Sequence, residues 1–215
     1  MYCIWYQYSN WNNNWWLDAK GLADFMWSFS PVVSKPGCIQ SPECYALQDN
    51  APLNHITSSV QELYIRGYYG NNINSLDFSG YPQLCLFSVG SSCFKNVKSL
   101  KLDGFKKLER IEIGRGSFYS NSSTGELSIL NCPSLKEITC GYQSFYNYNV
   151  FTIGKMDSLE TINIGFQCFY YVKQFGLCSK KWNECVQYLD YPNLNFAWFN
   201  ANSFYNIQTM AFESK

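Results

Sequence analysis

Apolar residues recur along this chain in one pattern, written five times. Leu84-x-x-Phe87-x-Val89 leads into Gly90 and then Cys93-Phe94; Leu108-x-x-Ile111-x-Ile113 leads into Gly114 and Ser117-Phe118. Leu135-x-x-Ile138-x-Cys140 and Leu159-x-x-Ile162-x-Ile164 repeat it, with Gly141, Gly165 and the pairs Ser144-Phe145 and Cys168-Phe169. A worn copy, Leu194-x-x-Ala197-x-Phe199-Asn200 with Ser203-Phe204, closes the series. The spacings are 24, 27, 24 and 35 residues, and a degenerate copy, Val60-x-x-Leu63-x-Ile65, stands 24 residues before Leu84. A fixed period of this size predicts a solenoid.

Each repeat carries a second apolar alternation after its Phe: Ile73-x-x-Leu76-x-Phe78, Val97-x-x-Leu100-x-Leu102, Leu127-x-Ile129, Phe151-x-Ile153, Phe175-x-Leu177 and Ile207-x-x-Met210-x-Phe212. Period-two alternation over three to six residues predicts short strands with one face buried. Two strands with turns between them make one coil, and a single coil buries too little to offset the ordering of its backbone. Coils must therefore stack. The Gly after each Ile-x-Ile is expected to end the strand at a positive φ. Pro82, Pro133 and Pro192 fall at a corner where no ladder donor is needed.

These repeats resemble the leucine-rich repeat family in its BspA-like branch, over about residues 60–215. The shared features are L-x-x-I-x-I followed by Gly, and a small-residue–Phe pair after a short spacer. A Gly where many relatives carry Pro, and the irregular third and fifth intervals, depart from the pattern. The expected fold is mainly β: a leucine-rich-repeat solenoid of about five to six stacked coils, residues 58–215, behind a non-repeating N-terminal cap, residues 1–57. The resemblance implies a non-enzymatic scaffold that binds a protein partner; a cell-surface adhesin or host-contact protein is the alternative it also implies.

In Ile-x-Ile the x residues point outward. They form the ladder Leu86/Ser88, Arg110/Glu112, Glu137/Thr139, Thr161/Asn163 and Phe196/Trp198. By resemblance, Arg110, Glu112, Glu137, Thr139, Thr161, Asn163, Phe196 and Trp198 are the candidate partner-binding residues. Aromatic residues dominate interface energetics, which singles out Phe196 and Trp198 as anchors. The worn repeat that carries them also reads as a C-terminal cap.

Composition narrows the partner. Sixteen basic residues balance sixteen acidic ones, which argues against broad binding of nucleic acid or anionic membrane. With 47% hydrophobic and 15% charged residues the chain folds rather than staying disordered. Seven basic residues, Lys95, Lys98, Lys101, Lys106, Lys107, Arg110 and Arg115, fall within 95–115 and read as a solvated face, or as a seat for an acidic or phosphate-bearing partner. No stretch is apolar enough to be a transmembrane helix, and the opening MYCIWYQYSNWNNNWW is no signal peptide. A cytoplasmic monomer is expected, or a surface or secreted protein if the chain is a fragment with its start upstream.

Trp5, Trp11, Trp15, Trp16 and Trp27 gather in the N-terminal segment, where a short helix is expected over 18–29. They read as a hydrophobic cap over the first coil, with an aromatic binding surface or a remnant of a larger unit as alternatives. The long interval holds an insertion, 179–190, with Trp182 and Tyr188 as possible anchors or as a decayed repeat. Asn121-Ser122-Ser123 is the one glycosylation triplet.

Chemistry is scarce. Cys93 and Cys168 share a slot with Ser117, Ser144 and Ser203; Cys132 and Cys178 share one with Phe105 and Met156; Cys140 replaces an Ile. Register thus predicts small buried thiols, leaving Cys38/Cys44 and Cys178/Cys185 as the plausible disulfides and Cys3 without a mate. There is no CxxC pair for zinc, no phosphate-binding Gly loop, and no nucleophile motif near the lone histidine, His55. Glu112 and Glu137, in neighbouring coils, read as exposed charges rather than a glycosidase pair. No catalytic, cofactor or metal site is expected.

Overall fold

The computed structural model describes residues 4–6, 44–47, 53–120, 124–154, 156–177, 196–199 and 209–212. Two parallel sheets face each other. The larger runs in the order β1 (Ile4–Tyr6), β12 (Phe196–Phe199), β10 (Thr161–Ile164), β8 (Glu137–Cys140), β6 (Arg110–Ile113), β4 (Leu86–Val89), β3 (Glu62–Ile65) and β2 (Cys44–Leu47). The smaller runs β13 (Thr209–Phe212), β11 (Gln174–Leu177), β9 (Tyr148–Ile153), β7 (Gly125–Leu130) and β5 (Ser99–Asp103). Every strand pairing within them is parallel.

The chain is thus a β-solenoid. Four coils have a described strand in both sheets: β4–β5, β6–β7, β8–β9 and β10–β11, numbered here one to four. β12 and β13 continue both sheets beyond them, while the residues between these two strands lie outside the description. Of the segment expected to cap the first coil, β2 adds a rung at that end, but β1 lies at the opposite edge, against β12. The fifth repeat is therefore not the last rung of its sheet. The helix expected over 18–29, the insertion 179–190, the glycosylation triplet and Cys3, Cys38, Cys178 and Cys185 fall outside the described residues, as does the His55 side chain.

The inward residues of the two alternations build one core. Ile111, Ile113, Ile138, Cys140, Ile162 and Ile164 meet Leu100, Leu102, Leu127, Ile129, Phe151 and Ile153, all buried. Leu84, Leu108, Leu135 and Leu159 close one corner of each coil. The other corner holds a column of stacked rings: Phe94–Phe118 at 5.2 Å, Phe118–Phe145 at 4.9 Å and Phe145–Phe169 at 5.0 Å. Pro82 and Pro133 sit in tight turns closed by Leu84 N donating to Tyr81 O and Leu135 N to Cys132 O, where Pro presets φ and no amide is missed. The thiols lie where their slots place them. Cys93, Cys132, Cys140 and Cys168 are buried and free, and Cys168 Sγ donates to Gly141 O at 2.8 Å.

The strand expected over Ile73–Phe78 is absent. Ile73 and Leu76 pack on the core and Phe78 is buried, yet Asp77 Oδ1 takes the Ser79 amide at 2.8 Å and bends the backbone away from a ladder.

The glycines after Ile-x-Ile serve a different purpose from the one expected. Gly114, Gly141 and Gly165 do not have positive φ. Glycine is required there because consecutive turns touch. A Cβ on Gly114 would stand 2.6 Å from Gly90 C, and one on Gly165 2.7 Å from Cys140 O. The left-handed backbone falls two residues later, at Ser92, Gly116, Gln143 and Gln167, and again at Phe94, Phe118, Phe145 and Phe169. Such a conformation costs a non-Gly residue about 1–2 kcal/mol. Hydrogen bonds to both neighbours hold it. The amides of Ser92, Gly116 and Gln143 donate forward to Arg115, Tyr142 and Phe166 carbonyls at 2.8–3.0 Å. The amides of Phe94, Phe118, Phe145 and Phe169 donate back to the preceding coil.

Burial makes the protein sensitive to alkali. It pushes the Cys132 thiol up to about 11, the Cys168 thiol and the Tyr64 phenol up to about 12, and the Cys140 thiol and Tyr148 phenol well up. Unfolded, these groups release their protons near pH 8.5 for thiols and near pH 10 for phenols. The folded state therefore holds more protons, and stability falls as pH rises above the unfolded values. The urea midpoint is expected to be flat to about pH 8 and to decline between about pH 9 and 12; an unchanged midpoint at pH 11 would contradict this burial.

Candidate functional site

The outward positions of the large sheet form two files in strict register. One is Glu62, Leu86, Arg110, Glu137, Thr161 and Phe196; the other is Tyr64, Ser88, Glu112, Thr139, Asn163 and Trp198. All eight candidate residues lie in these files, on four adjacent strands about 4.8 Å apart. The placement of Phe196 and Trp198 is that of their backbone; their side chains lie outside the description.

Four of the polar candidates, Arg110, Glu112, Glu137 and Thr139, are joined. Ser88 Oγ donates to Glu112 Oε2 at 3.0 Å, and Arg110 Nη1 donates to Glu112 Oε1 at 3.5 Å. Arg110 Nε faces Glu137 Oε2 at 3.7 Å, and Thr139 Oγ1 donates to Glu137 Oε1 at 3.1 Å. Exposed pairs of this kind contribute about 0–1 kcal/mol each, so the network orders the face more than it stabilises the fold. Glu112 and Glu137 are not file mates. Glu137 stands beside Arg110 and Glu112 beside Thr139, and the guanidinium bridges the two carboxylates on the diagonal.

Three outward residues barely reach solvent: Ser88 is fully buried, Thr139 is 3% exposed and Tyr64 is buried as well. The side chains of Ser88 and Thr139 are short, lie between longer neighbours, and spend their hydroxyls on Glu112 and Glu137. Thr139 thus braces Glu137 and presents little surface of its own. Arg110 is exposed, while Glu112, Glu137, Thr161 and Asn163 are half-buried.

The files also extend one strand beyond the expected ladder, to β3. Tyr64 Oη donates to Glu62 Oε2 at 3.1 Å, and burial, then that bond, raise the phenol. The degenerate spacing Val60-x-x-Leu63-x-Ile65 already pointed to this rung.

The basic run 95–115 is not one patch. Lys101 pairs with Asp103 on the small sheet, Lys107 bonds Gln83 at a corner, Arg110 lies on the large sheet, and Arg115 covers the Tyr142 ring at 5.0 Å on the opposite corner. The run passes from the small-sheet strand of coil one to the large-sheet strand of coil two, so its positions are spread around the circumference.

Sequence reasoning passed over the corner that follows the large sheet. Tyr119, Tyr146 and Tyr170 stack at 4.9 and 5.1 Å, and Tyr142 stacks on Phe166 at 5.8 Å. The recurrence Phe118-Tyr119, Phe145-Tyr146, Phe169-Tyr170 was the available signal.

Among the described residues no group of three metal-ligating side chains comes together, and no helix is long and apolar enough to cross a membrane. Comparison with protein-family models, curated proteins and solved structures returned no match.

Proposed function

We propose that this chain is a leucine-rich-repeat scaffold of the BspA-like type that binds a protein partner through the strand face of its large sheet. The observation that supports this most is the register of the outward files. Arg110, Glu112 and Glu137, ordered by their mutual contacts, stand on strands adjacent to those of Thr161 and Asn163, and the files lead toward Phe196 and Trp198. A fixed surface loses little entropy when a partner docks.

Area sets a condition on that partner. Six strands of four residues present roughly 29 by 13 Å, or about 380 Å². A stable interface takes about 800 Å² from each side. The partner must therefore also engage a rim of the face.

A photo-crosslinking side chain at Thr161, in extract of the native source, tests the reading. It is expected to capture one discrete protein, and the adduct should be lost on Glu137→Arg. The same probe at Lys173, beside the small-sheet strand β11, should capture none. No adduct from Thr161, or equal adducts from both positions, would remove the strand face from consideration.

A further inference from the structure

We infer that the free edge of the small sheet takes an extended segment of a partner protein, added beside β5 as one more strand, with the side-chain order apolar–acidic–apolar. The edge follows from the phase of the ladder. Glu126 N donates to Lys98 O and Gly104 N to Leu130 O, while Ser99 pairs with Glu126 and Asp103 with Leu130. In a parallel ladder alternate residues of a strand bond to opposite neighbours, so Leu100 and Leu102 serve β7. The amides and carbonyls of Ser99, Lys101 and Asp103 point the other way. Among the described residues none of these six groups has a hydrogen-bond partner. All three residues are exposed, while Leu100 and Leu102 are buried.

The rung that would cover this edge is missing. The large sheet runs two strands further, to β3 and β2, whereas the small sheet ends at β5. The segment that stands in that place, Ile73–Phe78, is pinned at each end. Ile73 N donates to Gly70 O and Tyr81 N to Phe78 O, and the Phe78 ring lies 4.9 Å from that of Phe87. Between these anchors Asp77 holds the Ser79 amide, and Asn74, Ser75 and Asp77 are exposed. The core is thinly covered here. The partly buried apolar residues packed against it, Leu53, Ile73, Leu76 and Tyr81, all gather at this end of the solenoid. Strand addition uses such a pairing of backbone edge and half-covered apolar side chains: main-chain bonds supply affinity, and alternate side chains fill the hollows.

Charge selects the occupant. Lys101, its side chain 64% exposed, is the centre of the edge, with Lys98 exposed before the strand and Lys106 after it; Asp103 is the strand's one acid. A second copy paired about the strand centre would set Lys101 against Lys101, and like charges directly opposite destabilise a sheet. The repeat period indicates the matching chemistry. Counted back 24 residues, Leu100-Lys101-Leu102 corresponds to Leu76-Asp77-Phe78. A guest with that order sets a carboxylate against Lys101 and turns its apolar side chains toward Ile73 and Leu76. This edge belongs to the small sheet, so the inference stands apart from the role proposed for the large one.

An acetylated hexapeptide alternating valine and glutamate, titrated into the full chain with the backbone amides followed by NMR, tests the site. In the free chain the amides of Ser99, Lys101 and Asp103 are expected to exchange with solvent at least tenfold faster than those of Leu100 and Leu102, and the peptide should slow them. N-methylation of one alternate set of peptide amides should abolish binding and of the other set leave it, since one set alone faces β5. Lys101→Pro removes an amide that has no partner in the chain, a place where an edge strand accepts Pro. The thermal midpoint should therefore hold while the peptide binds at least tenfold more weakly. Lys101→Glu should turn the preference toward a peptide alternating valine and lysine. The inference fails if the three amides are already protected in the free chain, if the peptide does not bind at millimolar concentration, if the two methylated peptides bind alike, or if Lys101→Glu leaves the preference unchanged.

Discussion

Phe145→Ala is expected to cost about 3–5 kcal/mol, the range for emptying a large aromatic from a packed core. Phe145 is the centre of the ring column. It stacks on Phe118 at 5° and on Phe169 at 7°, and it takes the edge of Tyr148 at 5.0 Å. Phe118 and Phe169 belong to the coils on either side, and Tyr148, in the same coil, is tied by its phenol to Val97 O at 2.8 Å, so none is free to fill the space. The cavity therefore stays open. In a solenoid, stability is carried between neighbours, so the loss falls on the junctions that coil three makes with coils two and four. Urea unfolding should show a lower midpoint and a shallower slope, as the two halves cease to unfold together. Tyr119→Ala is the comparison. Its ring stacks just as closely, on Tyr146 at 4.9 Å, but is half-buried, and its loss should cost about a third as much. A shift under about 1 kcal/mol for Phe145→Ala would mean that the column does not carry the core.

Gly114→Ala is the second large effect, about 3 kcal/mol, at the upper end of ordinary overpacking. The added methyl meets Gly90 C at 2.6 Å and Gly90 O and Ser91 N at 2.8 Å. All three are backbone atoms, and Gly90 N is itself tied to Ile65 O at 2.7 Å. No side chain can rotate aside; the turns must separate, and the amide of Gly114, which donates to Val89 O at 2.7 Å, separates with them. Gly80→Ala provides the contrast, because a Cβ there meets nothing within 4 Å and its φ is not positive. That change should be neutral or stabilise by about 0.5 kcal/mol through the unfolded chain. Thermal midpoints of the two variants measured side by side decide the matter. Equal midpoints would mean that the turns can separate without cost and that the close approach does not require glycine.

That glycine also shows how far the sequence could be read. Alternation along Leu108–Ile113 or Phe151–Ile153 specifies which side chains turn inward, and with a constant period it specifies stacking, so the strands, their register and the outward files were all legible. The placement of Arg110 beside Glu137 follows from counting. What counting misses is distance across the stack. Residue type suggested a positive φ at Gly114, Gly141 and Gly165, whereas the left-handed turns fall on Ser92, Gln143, Gln167 and four phenylalanines. Ser92, Gln143 and the phenylalanines tolerate the strain because their amides find partners in a neighbouring coil, and no local rule contains such partners. The same limit applies to Ile73–Phe78, whose alternation is as good as that of Val97–Leu102 but whose backbone is bent by Asp77. It applies to Thr139, which counting places on the surface and its neighbours cover.

The two-way hydrogen bonding of the turns has a consequence for descent. Each turn is keyed to the turn before and the turn after, so residues added inside the segment from Leu to Phe would break both keys. Length can vary only outside it, and the 27-residue interval keeps the full Leu-to-Phe spacing on either side of its extra residues. Duplication or deletion can then succeed only in whole coils. The outer surfaces of such a protein are inherited as integers: a lineage lengthens or shortens its recognition surface one rung at a time, without retuning the geometry of the rungs it keeps.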